Sequence, residues 1–367
     1  MIRLERRVET PRWLGVVVPF ASLAAALLIG AVFLLITGHD PVETYDRILD
    51  RSLLSDGALS ATLTAASPLL FTGLAAALAF RMNVFNVGVE GQLVMGAVAA
   101  SGVGLALDGT PGPVVVAAMI AAGAAAGALW GAIPGALRAY CNTNEIITSL
   151  MLNYVAANFA TYLIFGSSSY WRELTGTGAM FPQGKRLGSG THWPELDLGA
   201  VTIPFGMIAG AVLAVGFVVL LRRTRLGLDM QLTADAPAAA EAAGVRTKRT
   251  VLVLMAIAGA AAGIGGASDV GDTRHVLDPR GLGQAGYGYT GIVVAALARL
   301  NPLAVILTSI VMGGLANAGR ALQGPSFPVG LVGTLQGLLL VCTLGGEVFA
   351  RYRVRRARRI PAAEGAA

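Results

Sequence analysis

Arg81-Met-Asn-Val-Phe-Asn-Val-Gly-Val-Glu-Gly-Gln-Leu-Val-Met-Gly96 lies between long apolar runs, yet it carries Asn83, Asn86, Glu90 and Gln92 beside Gly88, Gly91 and Gly96. In hydrocarbon an unpaired polar group is costly, so residues of this kind face a cavity or the interior of a helix bundle. The glycines permit a helix break or the close approach of a second backbone. Glu90 is the one ionisable residue that the sequence places deep within an apolar run. It reads either as a packing and hydrogen-bonding node or as part of a transport path.

The surroundings fit a membrane. The 367 residues are 55% hydrophobic and only 13% charged, with a mean hydropathy of +0.67. Soluble domains carry about a quarter charged residues. One polytopic bundle therefore explains the chain better than two soluble domains. The 48 glycines suit tight helix packing in lipid. The net charge of +6 sits in short loops and at the termini, where topology rather than nucleic acid accounts for it. Cys141 and Cys342 are isolated, and His39, His192 and His275 are scattered through loops, so no disulfide, metal site or cofactor is expected. The first apolar run is too long for a cleavable signal and is expected to be retained.

The expected fold is all-α, with about ten spans of roughly 20 residues each. A basic, cytoplasmic segment 1–12 precedes a span over 13–37. Further spans are expected over 58–80, from the central stretch to about 107, over 114–137 and over 144–165. A long external loop, 166–201, separates these from spans at 203–221 and 251–267. The loop 222–250 between the last two is basic. After an outer loop with Asp272, Arg274, Asp278 and Arg280 come spans at 283–300, 302–322 and 329–349, then a basic tail, 351–367. The whole is expected to be one permease domain with both termini cytoplasmic, which satisfies the positive-inside rule.

Asn86-Val-Gly-Val-Glu-Gly-Gln-Leu-Val and Gly286-Tyr-Gly-Tyr-Thr-Gly-Ile-Val-Val share the spacing of Gly88 with Gly91 and of Gly288 with Gly291. They fall in spans of opposite direction, as an inverted internal repeat around a midplane site requires. Within 222–250, Ala234-Asp-Ala-Pro-Ala-Ala-Ala-Glu-Ala-Ala-Gly-Val245 reads as a short helix. Asp235 is expected at its cap, Pro237 in its first turn and Gly244 at its end.

The central stretch, Thr143-Asn-Glu-Ile-Ile-Thr-Ser-Leu-Met-Leu-Asn-Tyr154 and Gly286–Val294 together resemble the membrane permeases of bacterial ABC importers for simple sugars and nucleosides. The Gly-Val-Glu-Gly-Gln form and the Leu-Asn-Tyr element look more like the nucleoside group. The resemblance runs from the second span to the tenth and implies a type II importer-like fold. It also implies a cytoplasmic ATPase, a second permease subunit and an extracytoplasmic binding lipoprotein as partners. It makes Asp235, Pro237, Ala239, Ala240 and Gly244 the helix that couples to the ATPase, with Ala234-Asp-Ala-Pro237 where the family has Gly-x-Asn-Pro. No Gly-x-x-x-x-Gly-Lys-[Ser/Thr] loop is present, so no catalytic residue is expected and ATP hydrolysis is assigned to the separate ATPase.

For a nucleoside, with its aromatic base and ribose hydroxyls, the suitable pathway candidates are Phe85, Asn86, Glu90, Asn153, Tyr154, Tyr287 and Tyr289. An ion-coupled transporter shares the inverted repeat but leaves the coupling-helix pattern unexplained. A membrane enzyme needs a cluster of acids, His or Cys that the sequence does not display. Within the importer reading, a sugar or another small polar solute is the alternative cargo.

Overall fold

The computed structural model describes residues 2–6, 14–322 and 330–356. Arg7 and Arg12, the start of the last expected span at Val329, and Arg358 and Arg359 of the basic tail lie outside them. Two compact units form, residues 1–42 with 333–367, and residues 43–332.

In the first unit, β1 (Ile2–Arg6) pairs antiparallel with the strand Tyr352–Arg356, Ile2 opposite Arg356 and Arg6 opposite Tyr352. Parts of the two basic ends thus form a ribbon. The helix α1 (Leu14–Ile36) belongs to this unit.

The second unit is helical. It contains α2 (Pro41–Leu49, which begins at the junction), α3 (Ala58–Arg81), α4 (Val89–Ala106), α5 (Gly112–Cys141) and α6 (Glu145–Thr161). A folded segment with the one-turn α7 (Thr177–Met180) and the hairpin of β2 (Glu195–Asp197) with β3 (Thr202–Pro204) follows. Then come α8 (Phe205–Arg223), α9 (Arg225–Asp235), α10 (Pro237–Ala242) and α11 (Thr247–Ser268). The unit ends with α12 (Pro279–Ala285), α13 (Tyr287–Leu297) and α14 (Pro302–Ala321). The last helix among the described residues, α15 (Leu331–Arg351), leads into β4, the strand Tyr352–Arg356.

Among the described residues, seven helices are long and apolar enough to cross a membrane: α3, α4, α5, α6, α8, α11 and α14. The apolar stretches of α1 and α15, Phe20–Ile36 and Gly333–Thr343, are shorter. The expected span 283–300 is divided. Gly286 adopts φ +55, a left-handed conformation in which a side chain is strained, and α13 keeps only 11 residues. The third span starts later than the sequence implied, because Arg81 closes α3 and the helix resumes only at Val89.

Lipid supplies no hydrophobic drive between helices, so the core is held by close backbone contact. Gly123, Gly127, Gly131 and Gly135, four residues apart along one face of α5, lie against Gly259, Gly263 and Met255 of α11. A β-carbon on Gly127 would stand 2.1 Å from the Gly259 carbonyl oxygen, and one on Gly263 2.0 Å from that of Gly123. α11 also meets α4, where Gly96 abuts the Gly263 backbone and Gly266 the Leu93 carbonyl. These three helices form the rigid frame on which the polar centre is mounted.

Candidate functional site

Each interrupted helix leaves first-turn amides without an intrahelical acceptor. Neither α4 nor α13 supplies a side-chain cap of its own. The acceptors come from neighbouring helices. The Gly288 amide donates to Glu90 Oε2 at 2.5 Å, and the Tyr289 amide reaches the same carboxylate. Glu90 therefore caps α13, where a carboxylate also meets the positive end of the helix dipole. Gly288 is required here, since a β-carbon would lie 2.3 Å from the Glu90 amide nitrogen.

The start of α4 is served in the same way. Asn153 of α6 accepts from the Gly91 amide at 2.8 Å and donates to the Val87 carbonyl at 2.9 Å. Asn86 accepts from the Gly88 amide at 3.1 Å, and its carboxamide pairs reciprocally with that of Gln92 at 3.1 and 3.2 Å. Glu145, ion-paired with Arg138, accepts from the Phe85 amide. Cross-helix capping thus runs from α6 to α4 and from α4 to α13.

The seven pathway candidates divide into two groups. Asn86, Glu90, Asn153 and Tyr287 are buried. Phe85, Tyr154 and Tyr289 are 47%, 59% and 43% exposed. The Tyr289 hydroxyl links the groups by accepting from Asn153 Nδ2 at 3.4 Å. Phe85 packs at 5.4 Å from Phe80, towards the end of α3. On α6, Asn158 and Thr161, which are not among the seven candidates, are exposed beyond Tyr154 and bond back to their own helix. The Trp130 indole N–H lies against Gly91, is buried and has no partner.

Glu90 is not alone in the apolar region, contrary to the sequence reading. The helix that was expected to stop near Ala267 continues as a π-helical turn, Asp269–Arg274, and carries two buried carboxylates inward. Asp269 is paired with Arg274 at 2.7 Å and bonds the Tyr287 side chain. Asp272 accepts from Ser268 at 2.8 Å, from the Gly206 amide at 3.2 Å and from Ser67 at 3.4 Å. The available signal was the pairing of Ser268-Asp269 with Asp272 three residues later, directly after a Gly/Ala-rich helix. Their charge had placed them in a loop.

At that end of the unit, the expected loop 166–201 is a folded cap. The Trp171 indole donates to the Val98 carbonyl at 3.1 Å, Leu187 to His275 at 3.0 Å and Trp193 to Gly271 at 3.1 Å. His192 and His275, read as scattered, stack at 3.7 Å with 15° between their planes. Burial first, and the His192 ring second, push the His275 imidazole below its ordinary value of 6.5. The unfolded cap then binds a proton that the folded cap excludes. Its stability is full above pH 6.5 and is lost as pH falls through the depressed value. We expect limited proteolysis within 167–201 of the detergent-solubilised protein to quicken from pH 7.5 to 5.5, and His275→Phe to flatten the profile. A flat wild-type profile would count against the stacked pair as a titrating clasp.

At the opposite end, α9 and α10 occupy the stretch for which a coupling helix was expected, and its start differs from that expectation. Asp235 is the last residue of α9 and caps nothing; Ala236 stands at the N-cap of α10 without a side-chain bond. A proline at the first helical position presets the helical φ and removes one of the four unpaired N–H groups, which helps α10 start without a side-chain cap. Ala240 is buried inside the unit, whereas Ala239 and Ala243 are exposed. Gly244, at φ +85, ends the helix as expected. The Asn83 carboxamide donates to the Ala234 carbonyl at 3.1 Å, and Arg81 Nε to the Leu300 carbonyl at 2.8 Å. The end of α9 therefore touches the stretch that leads to Glu90.

No solved structure significantly matches the chain. A glucose ABC transporter permease protein of Haloferax volcanii is 32% identical over 96% of this chain and 93% of its own length. A guanosine ABC transporter permease protein of Bacillus subtilis is 30% identical over 81% of this chain and 84% of its own. A nucleoside ABC transporter permease protein of Lactococcus lactis is 26% identical over 86% of this chain and 87% of its own. The profile of the family described as branched-chain amino acid transport system, permease component, matches residues 58–344. With seven candidate spans and a polar centre built from capped half-helices, the chain belongs to this family of multi-pass membrane permeases, in the branch of ABC permeases named for nucleosides and simple sugars.

Proposed function

We propose that this chain is the permease subunit of an ATP-driven importer that takes up nucleosides. The observation that carries the reading is the set of exposed rings, Phe85, Tyr154 and Tyr289, beside a rigid amide and carboxylate centre. Rings suit a base, and the nearby amides suit ribose hydroxyls. Relatives named for a nucleoside and for guanosine support it. A simple sugar is the second reading, favoured by the glucose-named relative that aligns along nearly the whole chain.

In this reading the helices make ten crossings with an inverted repeat, in which the broken α12–α13 corresponds to the interrupted α3–α4 junction. The protein sits in the cytoplasmic membrane with its basic ends and the 222–250 loop inside. Buried Asn86, Glu90, Asn153 and Tyr287 shape the path, and the exposed rings, with Asn158 and Thr161, line it. A separate cytoplasmic ATPase binds α10, a second permease completes the path, and a binding lipoprotein docks on the folded 166–201 cap.

The test is uptake of radiolabelled nucleosides by vesicles that carry the whole importer, with glucose as competitor. Nucleoside uptake that glucose leaves untouched supports the reading; uptake of glucose alone sinks it. In the same vesicles, Ala239→Trp with Ala243→Trp is expected to abolish transport at normal expression, because both small residues face outward from α10. The buried Ala240 is left intact so that a folding defect does not mimic uncoupling. Wild-type uptake in the double variant would exclude α10 as the coupling element.

A further inference from the structure

We propose that the outer end of the unit holds a waiting station for the cargo, a cavity bounded by Phe165, Gln183, Arg186, His192, His275 and Arg280 that takes a planar, carbonyl-rich base. This rests on the nucleoside reading. The cavity measures about 730 Å3, within the range of small-molecule sites. It lies at the Arg274 end of α11, apart from the Glu90 centre.

Two stacked planar pairs line this one cavity. His192 lies on His275, and the Arg280 guanidinium covers the Phe165 ring at 4.2 Å. Imidazole and guanidinium planes are good partners for the π-face of a base. The walls are held by backbone: Arg186 bridges to Val276, and Leu187 bonds His275. The cavity is therefore formed before anything binds.

The polar lining selects the edge of the ring. Arg274 is held by Asp269 and Asp278, whereas among the described residues neither Arg186 nor Arg280 is in an ion pair. Both of these side chains are exposed. Asp278, an acceptor in the lining, already receives a bond from Arg274 at 3.1 Å. Free donors thus outnumber free acceptors, which suits the carbonyls of an oxopurine or dioxopyrimidine better than the amino edge of adenine. Arg274, through Asp269, also joins the cavity wall to Tyr287 at the start of α13.

The experiment uses vesicles with the complete importer, 8-azidoguanosine as photolabel, and uptake of inosine and adenosine. Wild-type label is expected on peptides covering 182–192 and 275–280. Arg186→Ala with His192→Ala, both at exposed side chains, should cut that label at least about fivefold and raise KM for inosine about tenfold. KM for adenosine should move less. Arg186→Lys, which keeps a donor, should recover most of the label. Label that the double variant leaves unchanged, or that appears only on 85–90 and 287–289, overturns the proposal. Vesicles that import no nucleoside defeat the nucleoside reading; import without label in the cavity defeats the station alone.

Discussion

Gly263→Ala is expected to abolish recovery of folded protein, whereas Gly216→Ala, also in a membrane helix, is expected to leave it intact. The Gly263 β-carbon would stand 2.0 Å from the Gly123 carbonyl oxygen and 3.0 Å from the Gly127 α-carbon. Both are backbone atoms of α5 and cannot rotate away. Overpacking a core costs about 1–3 kcal/mol where side chains can yield. Here two helices must separate, and α11 also carries the contacts to α4, so the cost exceeds about 3 kcal/mol. Gly216 of α8 has nothing within 4 Å of the added carbon. There alanine gains about 0.5–1 kcal/mol of helix propensity. Detergent size-exclusion profiles and melting temperatures of the two variants provide the comparison. Similar behaviour of both would show that the α5–α11 seam does not hold the bundle.

Glu90 gives the second large effect. Its carboxylate accepts from the amides of Gly288 and Tyr289, and α13 has no other side-chain cap. Glu90→Ala leaves buried donors unpaired, at about 1–3 kcal/mol each, and opens a gap against Gly288. The melting temperature should fall sharply and transport of every substrate should fall with it. Glu90→Gln keeps one acceptor oxygen and the shape, so the loss should be nearer 1 kcal/mol, with substrate preference unchanged. The contrary result is specific: unchanged melting of Glu90→Gln with loss of ribonucleoside uptake and retention of dideoxynucleoside uptake. That pattern would mean the carboxylate serves the ribose rather than the helix.

Both predictions concern residues that the sequence singled out or contained in plain view, yet their partners were not legible. Glu90, Asn86 and Asn153 stood out because polar groups in an apolar run need a reason. Which amides they cap depended on Gly288 and Gly91 arriving from other elements, a long-range fact that spacing does not encode. The glycines of α5 at intervals of four stood in the sequence without being singled out, and both their close contact and α11 as its recipient emerged only from the packed chain. Asp269 and Asp272 were assigned to a loop because charge usually marks one. The π-helical turn turns them inward, where Arg274 pairs with Asp269 Oδ2 and Ser67, Ser268 and the Gly206 amide donate to Asp272 Oδ2, while each Oδ1 stays buried without a partner among the described residues. His192 and His275, 83 positions apart by their numbering, met only because the cap folds back onto the end of α11.

By itself the sequence determined that the chain is a helical membrane protein, where most of its apolar segments run and which stretch is central, whereas the permease reading came from the motifs that carry the family resemblance. The first three follow from local hydropathy and the cost of polar groups in lipid, both readable residue by residue. The tertiary structure alone decided how the interrupted helix ends are satisfied, which candidate residues are buried and which remain open, and that the long loop is a folded cap. Those outcomes depend on which backbone donor meets which side-chain acceptor across helices, and hydrogen bonding between distant segments is fixed only when the bundle closes.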